Sequence, residues 1–503
     1  MAVRKLLAVD LGASGGKCFV GTFDGGSFAM RELHRFVHEG TSFFLPDASG
    51  AVCERTYWDD TFIFRNIVEG LQAYRREEGA TLDAIGVDTW GADGQFVTPD
   101  GDMLGKMYCY RDHRLDTMIE QVKARIDARR VYELTGIHFQ PFNVSNQLLW
   151  FVLNRPDLML PGITYLPVPA VFTYYLSGER AVDSSWASVT QLMDAKSREW
   201  SAEILEHLGV PLKIMPRIVR PGTVVGPLTE GLARLVGLNR AQVVAVAAHD
   251  TASAFAAAPV QDPATALIIS SGTWSLVGKL VPQPVTTPEA MAANVSSEGG
   301  IDNIRLLKNC MGSWLVQELR RVWRVQDGKE TSWDELTRLC EAAEPFKVLV
   351  DPDDSSFYNP ANMQEAIDAF CARTGQARPA GRGGYVRAVY ESLALKYRQV
   401  NEHICRVSGS RTTTVHIVGG GCKNPLLNQF TADALGLPVL AGPEEATAVG
   451  NLMVQAMAMG IIRTMAEAQP LIKGAFPIRE FKPENPAAWT AAYARFSKLA
   501  AAR

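Results

Sequence analysis

The chain has 503 residues, and its 50 basic and 54 acidic side chains give a formal net charge of −4. Hydrophobic residues make up 47% and charged residues 21%, which is ordinary for a globular protein and excludes disordered, collagen-like and coiled-coil chains. Without a basic excess, neither nucleic acid nor an anionic membrane is an expected partner. The length predicts about two or three domains with a substantial core.

The first part of the chain predicts a β-meander that leads into a helix. The strands are predicted at residues 6–9, 17–22 and 28–36, and the glycine-rich residues 10–16 form the first turn. Residues 62–78 then have the apolar spacing of a helix, and residues 84–89 form a short apolar strand.

The middle of the chain predicts helices, a loop and a further strand. Residues 117–206 are helix-rich, whereas residues 215–228 contain three prolines and two glycines and predict a loop. An apolar strand at 243–248 precedes a helix of mostly small residues at 252–258.

The second half opens on a pattern similar to the start of the chain. Residues 264–269 predict a strand, 270–273 a turn and 274–280 a second strand, so we expect a duplicated architecture with a domain boundary near residues 258–262. The remaining predicted elements are a helix at 386–407, a strand at 413–418, three glycines at 419–421, a helix from 424, a helix at 443–450 with a proline and two acids in its first turn, and a terminal helix at 489–502.

The cysteine pattern and the hydropathy indicate a reduced, cytoplasmic protein. The eight cysteines lie far apart and form no CxxC pair, so neither a zinc site nor a thioredoxin-like site is expected. The opening apolar run ends at Asp10, which is too short for a signal-peptide core. No stretch approaches the ~18 apolar residues of a membrane span.

The first glycine-rich turn is a candidate phosphate loop. Glycines 12, 15 and 16 let backbone N–H groups approach an anion, Ser14 offers a hydroxyl and Lys17 a positive charge. Asp10 could hold magnesium through its water shell. An ordinary hairpin turn is the alternative, and neither a P-loop nor a GxGxxG that follows a strand is present.

Two further glycine-containing turns could also contact phosphate. Residues 270–273 combine hydroxyls with Gly272, although an ordinary β-turn has the same composition. Glycines 419–421 permit close approach of a ligand, and the alternative is a tight turn with Asn424 as the helix N-cap.

Two strand ends carry groups suited to a sugar. Asp250, between His249 and Thr251, could accept a proton from a hydroxyl that attacks phosphorus, whereas the alternative is a helix N-cap. Residues 88–93 combine Trp90 with polar groups, a mixture that suits the apolar faces and hydroxyl rim of a sugar.

These segments together resemble the FGGY family of carbohydrate kinases almost from end to end. Their order and approximate spacing match throughout: AVDLGASGGK (8–17), GVDTWGAD (86–93), YRD (110–112), TGIHFQPFN (135–143), AAHDTASA (247–254), SSGTWSLVG (270–278), LLKNCMGSWLVQ (306–317), HIVGGGCKN (416–424) and AGPEEATAVGN (441–451).

The resemblance implies an α/β fold of two actin-like (ribonuclease H-like) ATPase domains that face a central cleft. Residues 1–258 would bind mainly the sugar and residues 259–503 mainly ATP, with the last helices free to pack back on the first domain. The implied reaction is magnesium-dependent transfer of the γ-phosphate of ATP to the C1 hydroxyl of a small ketose by a monomer or small homo-oligomer. L-Rhamnulose is the first candidate, and L-fuculose or D-xylulose are the alternatives.

The resemblance also assigns roles to individual residues. Asp250 corresponds to the general base and Asp10 to the acid that handles magnesium. The sugar contacts correspond to Gly91, His249, Asp250, Thr251 and Asn309. The nucleotide contacts correspond to Ala13, Ser14, Gly15, Gly16, Lys17, Thr273, Gln317 and Gly421.

The chain departs from the family pattern at two places. Members that act on L-rhamnulose commonly read ASSGR in the first loop, where this chain has Gly15 and Lys17, and Lys gives up the bidentate geometry of Arg. Gly94 and Gln95 replace apolar residues after Asp93, which allows an altered sugar preference. An actin-like conformational ATPase and an idle sugar sensor are rival functions. The residues 249–251 argue against the first, and the retained acids and phosphate loops argue against the second.

Overall fold

The computed structural model describes residues 3–46 and 49–501, and this part of the chain contains twenty β-strands. They are β1 (Arg4–Gly12), β2 (Gly15–Asp24), β3 (Ser27–Val37), β4 (Thr41–Pro46), β5 (Val52–Tyr57), β6 (Ala84–Thr89), β7 (Gly94–Val97), β8 (Met103–Leu104), β9 (Thr164–Pro167), β10 (Ala181–Asp183), β11 (Arg217–Val219), β12 (Thr223–Pro227), β13 (Gln242–Ala245), β14 (Ala266–Ser271), β15 (Trp274–Val281), β16 (Ser296–Gly299), β17 (Ile304–Met311), β18 (Thr414–Val418), β19 (Val439–Ala441) and β20 (Arg479–Phe481).

The same part of the chain contains eighteen α-helices and five short 3₁₀ helices. The α-helices are α1 (Asp60–Glu78), α2 (Met118–Lys123), α3 (Ala128–Thr135), α4 (Val144–Asn154), α5 (Val168–Ser177), α6 (Ser184–Val189), α7 (Ala202–Leu208), α8 (Glu230–Val236), α9 (Asp250–Ala256), α10 (Pro288–Ala292), α11 (Trp314–Asp327), α12 (Trp333–Ala342), α13 (Met363–Arg373), α14 (Gly381–Ser408), α15 (Pro425–Leu435), α16 (Ala446–Ala458), α17 (Met465–Ala475) and α18 (Pro486–Ala501). The 3₁₀ helices are His113–Leu115, Pro156–Met159, Leu212–Ile214, Ser355–Phe357 and Gly420–Lys423. In the described ranges, no helix combines the length and the apolar character that crossing a membrane requires.

The chain divides into two compact units, both of which are discontinuous in sequence. The first consists of the chain up to Ala257 together with Leu280–Leu306 and Ala446–Ala475. The second consists of Ala258–Lys279, Leu307–Glu445 and the chain from Phe476 onward. A single division at residue 258, as the sequence predicts, therefore describes only one of the boundaries.

The main sheet of the first unit has the order β3-β2-β1-β6-β13-β12. Its central strand β1 pairs antiparallel with β2 and parallel with β6, and residues 6–9 are fully buried because both faces of the strand are covered. Helix α16 packs on this sheet, since Gln455 Nε2 donates to Leu7 O at 2.9 Å and Asn451 Nδ2 donates to Gly86 O at 3.2 Å.

The sheet strands of the second unit follow the order β17-β15-β14-β18-β19-β20. Its central strand β14 pairs antiparallel with β15 and parallel with β18, and β19 adds a further parallel strand before the antiparallel β20. These four pairing directions repeat those of the first unit, where β1 pairs antiparallel with β2 and parallel with β6, β6 pairs parallel with β13, and β13 pairs antiparallel with β12. The predicted duplication is confirmed.

Most predicted elements are present, and four need correction. The turns predicted at 10–16 and 270–273 each shrink to two residues, because the strands of both hairpins continue to Gly12 and Ser271. The loop predicted at 215–228 contains β11 and β12. Pro227 is accommodated because β12 lies at the edge of its sheet, where a missing N–H leaves no ladder bond unmade.

The helix predicted at 443–450 begins only at Ala446, so its proline and acids precede it. The Pro443 carbonyl instead accepts a hydrogen bond from Gly419 N at 3.1 Å, which holds this segment outside the helix. The predicted terminal helix corresponds to α18, and residue 502 lies outside the described residues.

Candidate active site

The first unit places a row of three charged residues across its sheet. Lys17 on β2 and Asp88 on β6 are the register partners of Asp10 on β1, so the three side chains share one face. Asp88 is fully buried, and burial, followed by the neighbouring Asp10 carboxylate, raises the pKa of Asp88 well above its usual range. Asn451 Nδ2 donates to Asp88 Oδ2 at 2.5 Å. Burial and the neighbouring Asp10 therefore favour the protonated form of Asp88.

The first hairpin turn consists of Ala13 and Ser14 between the paired Gly12 and Gly15. The neighbouring strand β3 requires the glycines at 15 and 16. A Cβ on Gly15 would lie 2.6 Å from Phe36 O, and a Cβ on Gly16 would lie 2.3 Å from Cζ of the Phe36 ring. These two glycines are explained by strand packing, whether or not they also let a phosphate approach.

The end of β6 meets the segment between β13 and α9. Thr89 N donates to Ala248 O at 2.8 Å, and a Cβ on Gly91 would lie 2.6 Å from His249 Nε2. Only glycine at position 91 lets the His249 ring occupy this place. The structure therefore brings Gly91 and residues 249–251 together.

Asp250 is the first residue of α9, and 34% of its side chain is exposed. Its Oδ1 accepts hydrogen bonds from Thr251 N at 2.5 Å and from Thr251 Oγ1 at 3.1 Å. Among the described residues, no hydrogen bond is made by Oδ2. His249 occupies the N-cap position without a side-chain capping bond, so neither Asp250 nor Thr251 is the N-cap.

Asp93 is used inside the protein to orient two tryptophans. Its Oδ2 accepts from Trp58 Nε1 at 2.7 Å and from Trp90 Nε1 at 3.0 Å, and its Oδ1 accepts from Gln147 Nε2 at 3.1 Å. Burial raises the pKa of Asp93 to about 6 despite these donors. Asp93 thus shapes the aromatic surface beside Gly91 rather than offering a free carboxylate.

The departures at positions 94 and 95 are explained by packing. A Cβ on Gly94 would lie 2.4 Å from the Tyr165 hydroxyl and 2.5 Å from Leu166 O. Gln95 is buried, with Nε2 donating to Gly105 O at 3.1 Å and Oε1 accepting from Phe96 N at 3.0 Å. Both polar atoms of the Gln95 amide are therefore hydrogen-bonded to the backbone.

The second unit brings together three of the predicted nucleotide contacts. Thr273 Oγ1 in the β14–β15 turn donates to Gln317 Oε1 on α11 at 3.3 Å. Gly421 lies against Ser271 at the end of β14, where a Cβ would come within 2.1 Å of Ser271 Oγ. Asn309 on β17 belongs to the same unit by sequence, and its buried Oδ1 has no hydrogen-bond partner among the described residues.

Sequence reasoning missed a group of buried polar residues behind His249. Arg305 Nη2 lies 3.2 Å from His249 Nδ1, and Arg305 Nη1 lies 3.0 Å from Glu298 Oε2. Burial opposes the charge of Glu298, but Arg305 and His249 together outweigh burial and lower the pKa of that carboxyl. The signal was an arginine inside the apolar strand β17, a position where charge is expected only with a partner.

Asp183 is a further buried residue that sequence reasoning missed. Its Oδ2 accepts from Ala248 N at 3.2 Å, and its Oδ1 accepts from Ser185 N at 2.9 Å as the N-cap of α6. Burial raises the pKa of Asp183 to about 6. This carboxyl fixes the backbone just before His249.

Two family models match this chain. The model for the N-terminal domain of the FGGY family of carbohydrate kinases matches residues 52–256, and that for the C-terminal domain matches residues 267–459. The chain belongs to the FGGY family of carbohydrate kinases. The resemblance seen in the sequence is confirmed, and with it an enzyme that transfers phosphate to an alcohol group of a carbohydrate.

Relatives of this FGGY kinase match it over nearly its whole length. A rhamnulokinase of Bacteroides thetaiotaomicron is 40% identical over 494 residues, covering 98% of this chain and 99% of that protein. A rhamnulokinase of Pectobacterium atrosepticum is 37% identical over 502 residues, covering 99% of this chain and 97% of that protein.

Solved structures share the fold of this FGGY kinase at low sequence identity. A gluconate kinase from Lactobacillus acidophilus has a TM-score of 0.80 at 14% identity and covers 100% of this chain and 98% of its own. A ligand-bound xylulose kinase from the same organism has a TM-score of 0.79 at 15% identity and covers 99% of this chain and 98% of its own. The predicted α/β fold with two domains of the actin-like ATPase type is confirmed.

Proposed function

We propose that this chain transfers the γ-phosphate of ATP to the C1 hydroxyl of L-rhamnulose, giving L-rhamnulose 1-phosphate in the breakdown of L-rhamnose. The observation that carries the choice of sugar is the 40% identity to a rhamnulokinase over 98% of the chain. The family establishes a carbohydrate kinase, and the sugar is the part that we add.

In this proposal Asp250 is the general base. Its Oδ1 is already engaged by the Thr251 backbone and hydroxyl, which leaves Oδ2 to accept the proton of the sugar hydroxyl. The oxygen so activated attacks the γ-phosphorus in line with the departing ADP. Because the reaction involves little further covalent chemistry, most of the rate gain comes from placing the two substrates.

We assign the sugar contacts to Gly91, His249, Thr251 and Asn309, alongside Asp250. Gly91 and His249 are in contact, so a change at either one moves the other. The unpartnered Oδ1 of Asn309 supports a ligand contact, since a buried amide oxygen without a hydrogen bond is costly.

We assign the nucleotide contacts to both hairpin turns and to two residues near the second one. In the first unit they are Ala13, Ser14, Gly15, Gly16 and Lys17, where Lys17 supplies positive charge beside an anionic phosphate chain. In the second unit they are Thr273, Gln317 and Gly421, where small and neutral groups leave room for the nucleotide. We also propose that residues 1–258 bind mainly the sugar, apart from the nucleotide contacts of the first hairpin turn, and that residues 259–503 bind mainly ATP.

We propose that magnesium accompanies ATP and that Asp10 is the residue that would hold it through water. The described residues contain no cluster of three or more His, Cys, Asp or Glu side chains that could hold a metal ion. A single carboxylate with phosphates and waters suits magnesium, which takes few protein ligands, so the donor set fits. When bound, magnesium supplies positive charge that offsets the phosphate oxygens.

The test is a coupled ADP-release assay with ATP, magnesium and a panel of L-rhamnulose, L-fuculose, D-xylulose, L-ribulose and glycerol. We expect kcat/KM to be highest for L-rhamnulose, and phosphorus NMR to show a 1-phosphate ester. A clear preference for another ketose would overturn the sugar assignment and keep the base. ATP turnover that is independent of sugar would instead indicate a conformational ATPase.

L-Fuculose and D-xylulose remain the alternative substrates. Gly94 after Asp93 is the feature that L-fuculose kinases share, and it favours L-fuculose as the first alternative. Because a side chain on Gly94 would collide with Tyr165, packing explains the glycine at this position without reference to the sugar. We also propose a cytoplasmic monomer or small homo-oligomer that has no nucleic-acid or membrane partner.

A further inference from the structure

A buried ion pair lies behind His249 in the first unit. The Arg305 side chain on β17 is 0% exposed, the Glu298 side chain on β16 is 7% exposed, and Nη1 lies 3.0 Å from Oε2. Arg305 Nε also donates to Gly299 O at 2.8 Å. Because desolvation largely cancels the attraction within a buried ion pair, stability alone is a weak explanation for its presence.

The third contact of Arg305 determines which nitrogen of His249 carries the proton. Nη2 lies 3.2 Å from His249 Nδ1 with hydrogen-bond geometry, and a guanidinium can only donate. Glu298 Oε2 lies 3.4 Å from the same Nδ1 and makes no hydrogen bond to it. Nδ1 therefore presents a lone pair to Arg305, and the ring proton belongs on Nε2.

The other side of the ring points to the residues assigned to the sugar. His249 Nε2 lies 3.5 Å from Asp250 Oδ1, and the position of a Cβ on Gly91 would be 2.6 Å from Nε2. An Nε2–H at this point donates and cannot accept. It suits an acceptor oxygen of a substrate next to the hydroxyl that Asp250 deprotonates.

We infer that Glu298 and Arg305 are positioning residues that hold His249 with its proton on Nε2, so that His249 acts only as a hydrogen-bond donor to an oxygen of the sugar. The sugar part of this inference rests on the proposed function. Arg305 sets the tautomer, and Glu298, whose Oε2 lies 3.0 Å from Arg305 Nη1, balances the guanidinium charge. Loss of either partner lets the ring rotate or take the other tautomer.

The direct test is nitrogen NMR of the full chain labelled with ¹⁵N-histidine. The chain has eight histidines, and the His249→Gln spectrum identifies the His249 signals by their absence. We expect an unprotonated Nδ1 and a protonated Nε2 in the wild type, and a mixture of tautomers in Arg305→Lys. A protonated Nδ1 in the wild type would mean that Glu298 accepts from the ring, and the inference would fail.

A kinetic test measures whether Arg305 acts through His249. Loss of a charged hydrogen-bond network that orients a donor should raise the sugar KM about 10- to 100-fold in Arg305→Lys and Glu298→Gln, with the ATP KM unchanged. In the His249→Gln background, Arg305→Lys should add little, because its target is already gone. Equal damage to both KM values, or full additivity, would indicate a purely structural role.

A matched control and the NMR readout keep the two proposals separable. Arg130→Lys changes an exposed ion pair with Glu203 and should leave both KM values unchanged. The tautomer is measured without sugar, so a failed substrate panel would remove the sugar assignment but not the Nε2 proton. If Nδ1 carried the proton while activity on L-rhamnulose was normal, the inference about the tautomer would fail and the sugar assignment would stand.

Discussion

Each of the two sheets has a central strand with a two-residue hairpin on one side and a parallel strand on the other, but the groups at these strand ends differ. In the first unit, β1 and β6 place Asp10 beside Asp88. At the corresponding place in the second unit, β14 and β18 pair Ser270 with Val418. One backbone plan therefore carries carboxylates in one unit and small neutral groups in the other.

The difference shows how a repeated fold can hold two kinds of chemistry. Acids at strand ends suit proton transfer and metal binding, and the first unit adds Asp250 after β13. Hydroxyls and glycines suit close approach to a phosphate chain, and the second unit has Thr273 and Gly421 there. Substitutions at individual residues can test this contrast between the two units.

The largest expected effect is the loss of kcat on replacing Asp250, the proposed general base in the first unit. Asp250→Asn keeps the shape of the side chain but removes the proton acceptor, so kcat should fall about 10²- to 10⁴-fold. The Tm should stay unchanged, and the coupled ADP-release assay gives the rate. Asp116→Asn, at a side chain that is 67% exposed, is the control with full activity. A normal rate for Asp250→Asn would contradict the assignment of Asp250 as the general base.

The second unit also buries carboxylates, and it neutralises them with a cation. Lys396 Nζ lies 2.8 Å from Asp351 Oδ1 and 3.2 Å from Asp353 Oδ2, with the lysine side chain 3% exposed. Burial opposes its charge, but the two carboxylates outweigh burial and raise the pKa of Lys396. In the first unit, by contrast, burial favours the protonated form of Asp88, which accepts a hydrogen bond from Asn451.

The contrast predicts unequal losses of stability. Lys396→Met removes the cation that lies closest to two buried acids and should lower the free energy of unfolding by about 3–5 kcal/mol. Asn451→Leu removes uncharged hydrogen bonds and should lower it by about 1–3 kcal/mol. Urea unfolding measures both. Lys347→Met, at an exposed lysine, is the control. A smaller loss for Lys396→Met than for Asn451→Leu would contradict this account.

Asp93 predicts a pH dependence that belongs to the first unit. Its pKa of about 6 in the folded protein exceeds the ~3.9 of an unfolded chain, so the native state binds the proton more tightly. The stability that Asp93 contributes is present below pH ~4 and is lost as pH rises to ~6, a change of up to about 3 kcal/mol. As the pH rises from about 4 to about 6, the free energy of unfolding of Asp93→Asn should therefore increase by this amount relative to that of the wild type. A difference that is constant from pH 4 to 7 would contradict the burial of a protonated Asp93.

Much of the fold was predictable because the strand–turn–strand pattern recurs in the sequence. The apolar runs at residues 6–9 and 264–269 identify both central strands, since strands buried on both faces have continuous apolar residues. The loop predicted at 215–228 was wrong because proline is allowed at a sheet edge, and edge position is a property of the folded sheet.

The candidate site was predictable only where its residues follow strands. Gly91, Asp250 and Gly421 each follow the end of a strand within a few residues, so local pattern identifies them. Arg305 and Asp183 were missed because they act from behind the site, through contacts with residues about 55 and 65 positions away. Such contacts depend on the folded structure and leave only one signal in the sequence, a charge within an apolar run.

Gly91 and Gly421 allow the most direct comparison of the two units, since each follows the strand parallel to a central strand. Alanine at 91 would place a Cβ 2.6 Å from His249 Nε2, and alanine at 421 would place one 2.1 Å from Ser271 Oγ. Gly231, whose Cβ position has no atom within 4 Å, is the control.

The decisive measurement is the KM for sugar and for ATP in these three variants. We predict that Gly91→Ala raises the sugar KM about 10- to 100-fold and that Gly421→Ala raises the ATP KM by a similar factor, corresponding to about 1.4–2.7 kcal/mol of binding energy each. The other KM should change by less than about threefold in each variant, and Gly231→Ala should match wild type. If either glycine variant damaged both KM values equally, the division of sugar and nucleotide binding between the two units would be contradicted.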